Sequence, residues 1–270
     1  MPSSVGAVSM FDGLSRPLLM AHRGASRYAP ENTLEAFDLA MRVGAQVLEM
    51  DVRLTRDREV VVIHDATVAR TTNGTGPVAS LSAAELLRLD AGHNFEANGE
   101  TLFRDGGCIV PRLEDVLKAF PNAGFNIEIK DRGMAREVLD VLHRIGPQNV
   151  VLAAADDDVM AELVTFEPSC PRSLCRGEVK GFLVDAYRGR SLQRFRGRAL
   201  QIPVRHHRFA WSLLPVATRR VIDAAHAAGI EVHLWTVNDP KEASDWIARG
   251  VDGIFTDDPS ALHEVFASRW

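Results

Sequence analysis

Val47-Leu-Glu-Met-Asp-Val52 decides the fold. On an extended strand successive side chains alternate, so Glu49 and Asp51 share one face while Leu48, Met50 and Val52 take the other. The apolar face calls for burial, and a core strand has no structural reason to carry two carboxylates at its end. The same construction recurs nearby. Leu18-Leu-Met-Ala-His-Arg-Gly24 ends in His22 and Arg23, and Val60-Val-Val-Ile-His-Asp65 ends in His64. Phe125-Asn-Ile-Glu-Ile-Lys130 aligns Asn126, Glu128 and Lys130 on one face, opposite Ile127 and Ile129.

Outward from these stretches, strand-like and helix-like segments alternate. Strands are expected over 18–22, 46–52, 124–130, 149–153, 172–175, 199–203, 230–235 and 252–256. Amphipathic helices are expected over 32–43, 112–120, 134–145, 157–166, 213–228, 240–249 and 259–268. Repeated strand–helix units imply a parallel sheet, and eight units in this length fit an α/β fold of the (β/α)8 TIM-barrel type. Helix signals agree. Asn32-Thr33 with Glu35 reads as a helix start, Gly44, Gly229 and Gly250 follow helix ends, and Asp239-Pro240 and Asp258-Pro259 each place a cap before a first-turn proline.

One segment breaks the repeat. The insertion after the second strand, about 65–110, holds Thr71-Thr-Asn-Gly-Thr-Gly-Pro77, a short helix near 82–89 and a Gly/Asn-rich stretch. It is far longer than an ordinary strand–helix loop and is expected as a small lobe on the face where barrels do chemistry. Residues 1–16 are expected to be a flexible N-terminus and 17–270 a single domain.

Composition limits the function classes. With 270 residues, 46% hydrophobic, 25% charged and a net charge of −5, nothing suggests a nucleic-acid-binding surface. Cys108, Cys170 and Cys175 are odd in number and form no CxxC pair, so buried free thiols are expected. The first sixteen residues lack the basic start and apolar run of a secretory signal, and no stretch nears the roughly 18 apolar residues of a membrane span. A soluble cytoplasmic protein is the expectation. No GxGxxG, GxxxxGK[ST], GxSxG or HExxH pattern occurs, which argues against nucleotide-binding, serine-hydrolase and zincin classes.

The strand ends carry the chemistry. Glu49 and Asp51 crowded at a barrel mouth repel, and one takes up a proton unless a cation is present. With Glu128 they offer three hard oxygen donors suited to one divalent cation, Mg2+ or Ca2+. Any one of them alone reads as a structural ion pair at the strand end. His22 and His64 can serve as a general acid and base near neutral pH, Arg23 as a bidentate phosphate ligand and Lys130 as a second positive charge. Trp235, on the strand face of His233, reads either as a substrate contact at the rim or as ordinary packing. His93, His143, His206, His207 and His226 have no acidic partner at informative spacing and are expected on surface or loops. The basic run Tyr187-Arg-Gly-Arg-Ser-Leu-Gln-Arg-Phe-Arg-Gly-Arg198 is expected as a solvated helix face.

In this order along the chain, His22-Arg-Gly24, Pro30-Glu-Asn-Thr33, Glu49-Met-Asp-Val52, His64-Asp65, Arg70-Thr-Thr-Asn-Gly74, Pro111-Arg-Leu-Glu114, Ile127-Glu-Ile-Lys130, Trp235-Thr-Val-Asn238 and Gly253-Ile-Phe-Thr-Asp257 resemble the glycerophosphodiester phosphodiesterase family. The resemblance spans about 18–265 and is weakest from 155 to 230. Arg58 departs from it, standing where a turn glycine is common. It implies a barrel with this same insertion, His22 and His64 as the acid/base pair, Glu49, Asp51 and Glu128 as holders of the divalent cation, and Arg23 and Lys130 as phosphate contacts. The expected reaction is metal-dependent hydrolysis of a small glycerophosphodiester to glycerol 3-phosphate and an alcohol, through a cyclic phosphate. A lysophospholipase-D-like or phosphoinositide-type phosphodiesterase acting on lipids is the alternative enzyme. A non-catalytic phosphodiester-binding module is the alternative outside enzymes.

Overall fold

The computed structural model describes residues 9–97, 99–196, 198–204 and 216–270. Eight parallel strands close into a barrel: β1 (Leu18–His22), β2 (Val47–Leu54), then, past an antiparallel β3 (Val60–Val62), β4 (Gly124–Ile129), β5 (Val150–Ala153), β6 (Arg172–Ser173), β7 (Arg198–Pro203), β8 (Glu231–Trp235) and β9 (Gly253–Thr256). Pairing of β1 with both β2 and β9 closes the ring, and β3 extends β2 outside it. The helices are α1 (Leu34–Arg42), α2 (Ala83–Leu86), α3 (Leu113–Ala119), α4 (Ala135–Ile145), α5 (Asp157–Thr165), α6 (Arg176–Tyr187), α7 (Arg219–Ala227), α8 (Pro240–Ala248) and α9 (Pro259–Ala267). No described helix is long and apolar enough to cross a membrane.

The alternation read in β2 sorts its side chains. Leu48, Met50 and Val52 pack with Phe37, Leu113 and Phe125 between the barrel and its helices. Each such burial stabilises by about 1.5–3 kcal/mol. Val47 points the other way, into a plug at the bottom of the barrel formed with Met10, Phe11, Leu18, Met20, Val151, Ala199 and Phe255. The segment 1–16, expected to be flexible, contributes Met10 and Phe11 to this plug. Met10 and Phe11 are buried, and Arg16 anchors the segment through Glu231 at 2.7 Å. Residues 1–8 lie outside the described ones.

Helix starts follow the expected chemistry, with Asp239 and Asp258 capping the amides of Glu242 and Ala261. At α1 the cap is Thr33, while Asn32 takes a left-handed φ of 60° and turns its side chain elsewhere. Arg58, in the tight turn before β3, also takes a positive φ, 62°, and its side chain pairs with Glu137. The insertion builds its own small core from Val61, Ile63, Val68, Val78, Leu86, Ala91, Cys108 and Val110.

Three expectations need correction. The apolar pattern does not predict helix α6, because Gly177 and Gly181 interrupt it, yet the helix buries Phe182, Leu183 and Ala186. The basic run is not one helix face. α6 ends at Tyr187 and β7 starts at Arg198, while Arg194 and Arg198 pair with Asp185 and Glu178, both at 2.6 Å. Their charges are spent on tying α6 to the barrel. Finally, His226 has an acidic partner, Asp252 at 2.8 Å and 26 positions away, and His93 lies 3.9 Å from Asp90, three positions before it. His143 lies on α4, while His206 and His207 lie outside the described residues. The three thiols are free, with Cys108 and Cys175 buried and Cys170 partly so.

Candidate active site

The carboxyl ends of the strands open into a cavity of about 270 Å3, whose lining includes His22, Arg23, Glu49, His64, Glu128 and Lys130. Strand register brings them there. His22 on β1 lies opposite Glu49 on β2, and Asp51 lies opposite Glu128 on β4. His64 follows β3, where Ile63 N–H still bonds Asp51 O at 2.9 Å.

The turn after β1 is tightly specified. Arg23 and Gly24 take φ of 57° and 84°, and a Cβ on Gly24 would meet the Ala36 carbonyl carbon at 2.6 Å. Only glycine allows α1 so close. The turn aims the Arg23 amide at Glu49 Oε2, 2.9 Å away.

Each histidine is held by a carboxylate on one ring nitrogen. His22 Nδ1 is 2.7 Å from Asp257 Oδ1, and His64 Nδ1 is 2.7 Å from Asp65 Oδ1. That leaves each Nε2 for the cavity. Burial pushes the proton affinity of His22 down, but the Asp257 hydrogen bond and the nearby Glu49 charge outweigh it, and the net shift is upward. Asp257 is itself positioned by Asn238 and Ser26.

Glu49, Asp51 and Glu128 gather with oxygens within 4.8 Å of one another. Burial, then the charge of Asp51, pushes the Glu49 carboxyl well above its ordinary range. Asp51 moves the other way. Burial would raise it, but Lys130 and Arg23 hold it down. Lys130 Nζ bridges Asp51 and Glu128 at 2.8 and 2.9 Å, and Arg23 Nε lies 3.0 Å from Asp51. The two cations read from sequence as phosphate contacts therefore sit directly on the acidic cluster. An all-oxygen donor set with one carboxylate raised by its neighbour fits a hard divalent cation.

Several residues that complete the site were not singled out from sequence. Asn32 donates to Asp51 Oδ2 at 3.0 Å, which accounts for its positive φ. Glu31 holds Arg23 on one side and Arg70 on the other, and Arg70 continues to Asp65. The Arg70 hydrogen bond, against the pull of burial, and the His64 ring hold Asp65 below the usual carboxylate range. Pro30-Glu-Asn-Thr33 and Arg70 were legible as motif text, but their roles depend on folding across the barrel mouth. Trp235 stands at the rim, 42% exposed.

The glycerophosphoryl diester phosphodiesterase family profile matches residues 22–261. A glycerophosphodiester phosphodiesterase of Caldanaerobacter subterraneus subsp. tengcongensis is 31% identical over 255 residues, covering 92% of this chain and 96% of its own. The crystal structure of a glycerophosphodiester phosphodiesterase from Agrobacterium tumefaciens str. C58 superposes with a TM-score of 0.73 at 31% identity, over 92% of this chain and 99% of that one. An Oleispira antarctica phosphodiesterase, solved in complex with the product sn-glycerol-3-phosphate, shares the fold with a TM-score of 0.72 at 23% identity, over 93% and 97% of the two chains. The chain belongs to the glycerophosphoryl diester phosphodiesterase family and is an enzyme of that class.

Proposed function

We propose that this protein hydrolyses small glycerophosphodiesters to glycerol 3-phosphate and an alcohol, with His22 and His64 as acid and base and one divalent cation, Mg2+ or Ca2+, held by Glu49, Asp51 and Glu128. The observation that carries the reading is the convergence of two carboxylate-held histidines and the acidic cluster on one cavity. A binding module needs no such acid/base pair. The product bound by the Oleispira antarctica neighbour is the product expected here.

One histidine takes the proton of the glycerol 2-hydroxyl at Nε2, and that oxygen attacks phosphorus within the same molecule. Such intramolecular attack draws on effective molarities up to ~10⁵–10⁸ M. The other histidine gives its Nε2 proton to the departing alcohol. Water then opens the cyclic phosphate, yielding its proton to the second histidine while the first returns its own to the 2-oxygen, so both rings are restored. Arg23 and Lys130 offer charge to the phosphoryl oxygens. A cation on the three carboxylates would supply further charge stabilisation there and acidify the attacking hydroxyl.

Chelator-treated protein, incubated with glycerophosphocholine or glycerophosphoethanolamine, is expected to release glycerol 3-phosphate only after Mg2+ or Ca2+ is restored. Silence with both substrates and both metals would overturn the reading and shift it to a lipid diester or to binding alone.

A further inference from the structure

Beneath the acidic cluster, β4, β7 and β8 turn Asn126, Gln201, Glu231 and His233 into the barrel, where they form a directed hydrogen-bond chain. Glu231 begins it. Its Oε1 accepts from the Met10 amide at 3.2 Å and from Arg16 at 2.7 Å, and its Oε2 lies 3.2 Å from His233 Nε2. A carboxylate tied to an arginine only accepts, so Nε2 carries the ring hydrogen and Nδ1 is the acceptor. His233 is fully buried between the rings of Phe11 and Phe255.

His233 Nδ1 faces Gln201 Nε2 at 3.4 Å, and the same amide nitrogen donates to Asn126 Oδ1 at 2.6 Å. Both Gln201 amide hydrogens and the Asn126 carbonyl are thereby used, and the orientation of each amide is set. What remains is an acceptor, Gln201 Oε1, and a donor, the Asn126 NH2 group, on two amides joined at 2.6 Å. Both residues line the cavity, with Asn126 almost fully buried in its wall.

An acceptor and a donor left over on two linked amides match a hydroxyl, which can donate to one and accept from the other; an ammonium or an ether satisfies only one. The pair lies on the floor. Asn126 sits one inward-facing position below Glu128 on β4, and Trp235 marks the opposite, open end. We propose that Asn126 and Gln201 form the subsite for the terminal hydroxyl of the substrate's glycerol unit, the one that takes no part in ring formation. Glu231 and His233 are positioning residues that fix the direction of the two amides. The assignment rests on the phosphodiesterase reading above and deepens it: the floor selects glycerol, and the leaving alcohol points to the mouth.

The test compares metal-loaded wild-type enzyme on glycerophosphocholine and on 2-hydroxypropyl phosphocholine, which keeps the attacking hydroxyl and lacks the terminal one. Leaving the floor amides unpaired is expected to lower kcat/KM for the deoxy diester by about 10- to 100-fold. Gln201→Met and His233→Leu are each expected to collapse that ratio towards one by slowing the glycerol diester more than the deoxy diester, a selectivity change that mere loosening of the fold would not produce. Equal wild-type rates on the two diesters would overturn the subsite, leaving the pair as a water site, while the phosphodiesterase reading stands. Silence on both would bring down that reading and the subsite with it. The wild-type comparison decides the matter even if a variant fails to fold.

Discussion

Asp257 Oδ1 lies 2.7 Å from His22 Nδ1, and Asp257 Oδ2 accepts from Asn238 at 2.8 Å, so the aspartate is held at both oxygens and the imidazole can turn only Nε2 to the cavity. Asp257→Ala frees the ring and removes the group that favours its protonated form. The expected result is a fall in kcat of roughly 10²-fold, the lower end of what a positioned acid or base contributes. KM should barely move, since Asp257 touches the ring and not the diester. Steady-state kinetics beside an unchanged circular dichroism spectrum checks this.

Asn32 supports Asp51 from behind through its amide, 3.0 Å from Oδ2. Asn32→Gly removes that hydrogen bond while tolerating the left-handed φ of 60°. Loss of such an outer partner typically weakens metal affinity by about 10–100-fold. Titrating activity with Mg2+ and with Ca2+ should show that rightward shift with little change in the saturated rate. An unchanged midpoint would show that Asn32 serves the turn alone.

Glu178 joins Arg172 and Arg198 under α6. Burial works to raise its carboxyl, but the two arginines and the Cys175 amide prevail and push it down to about 2. A folded-state value below the unfolded one of roughly 4.3 contributes stability that is present above the unfolded value and lost as pH falls towards 2. The linkage is worth up to about 3 kcal/mol. In Glu178→Gln the loss of stability between pH 5 and pH 3 should be shallower than in wild type, as measured by urea midpoints. Parallel curves for the two proteins would remove Glu178 from the acid response.

Phe11 fills the bottom of the barrel and is fully buried. Phe11→Ala leaves a void that Met20, Val151 and Phe255 cannot close, at a cost of about 3–5 kcal/mol. Equilibrium denaturation is the measurement, and a change under 1 kcal/mol would mean that the N-terminal plug is dispensable.

The barrel was legible because its signals are local. Apolar strands of four to eight residues, helices of period 3.6 and the glycines and Asp-Pro pairs that bound them are set by neighbours in the chain, and β1, β2, β4 and β8 lie within a residue or two of their expected limits. α6 escaped because two glycines blur its pattern, and its stability comes from packing Phe182 against Phe195 and from ion pairs reached from a later segment.

Which strand ends carry carboxylates, histidines and cations is plain from the chain, since a charged residue ending an apolar run is a local signal. How those groups pair is a matter of the folded barrel. His22 meets Asp257 across 235 positions and Gln201 meets Asn126 across 75, and Arg23 and Lys130, expected as phosphate contacts, also pair with the carboxylates of the acidic cluster. The physical reason is closure of the sheet. The identity of a strand is a property of its own residues, but the partner of a side chain inside a barrel is chosen by register across strands that the chain reaches only after many turns.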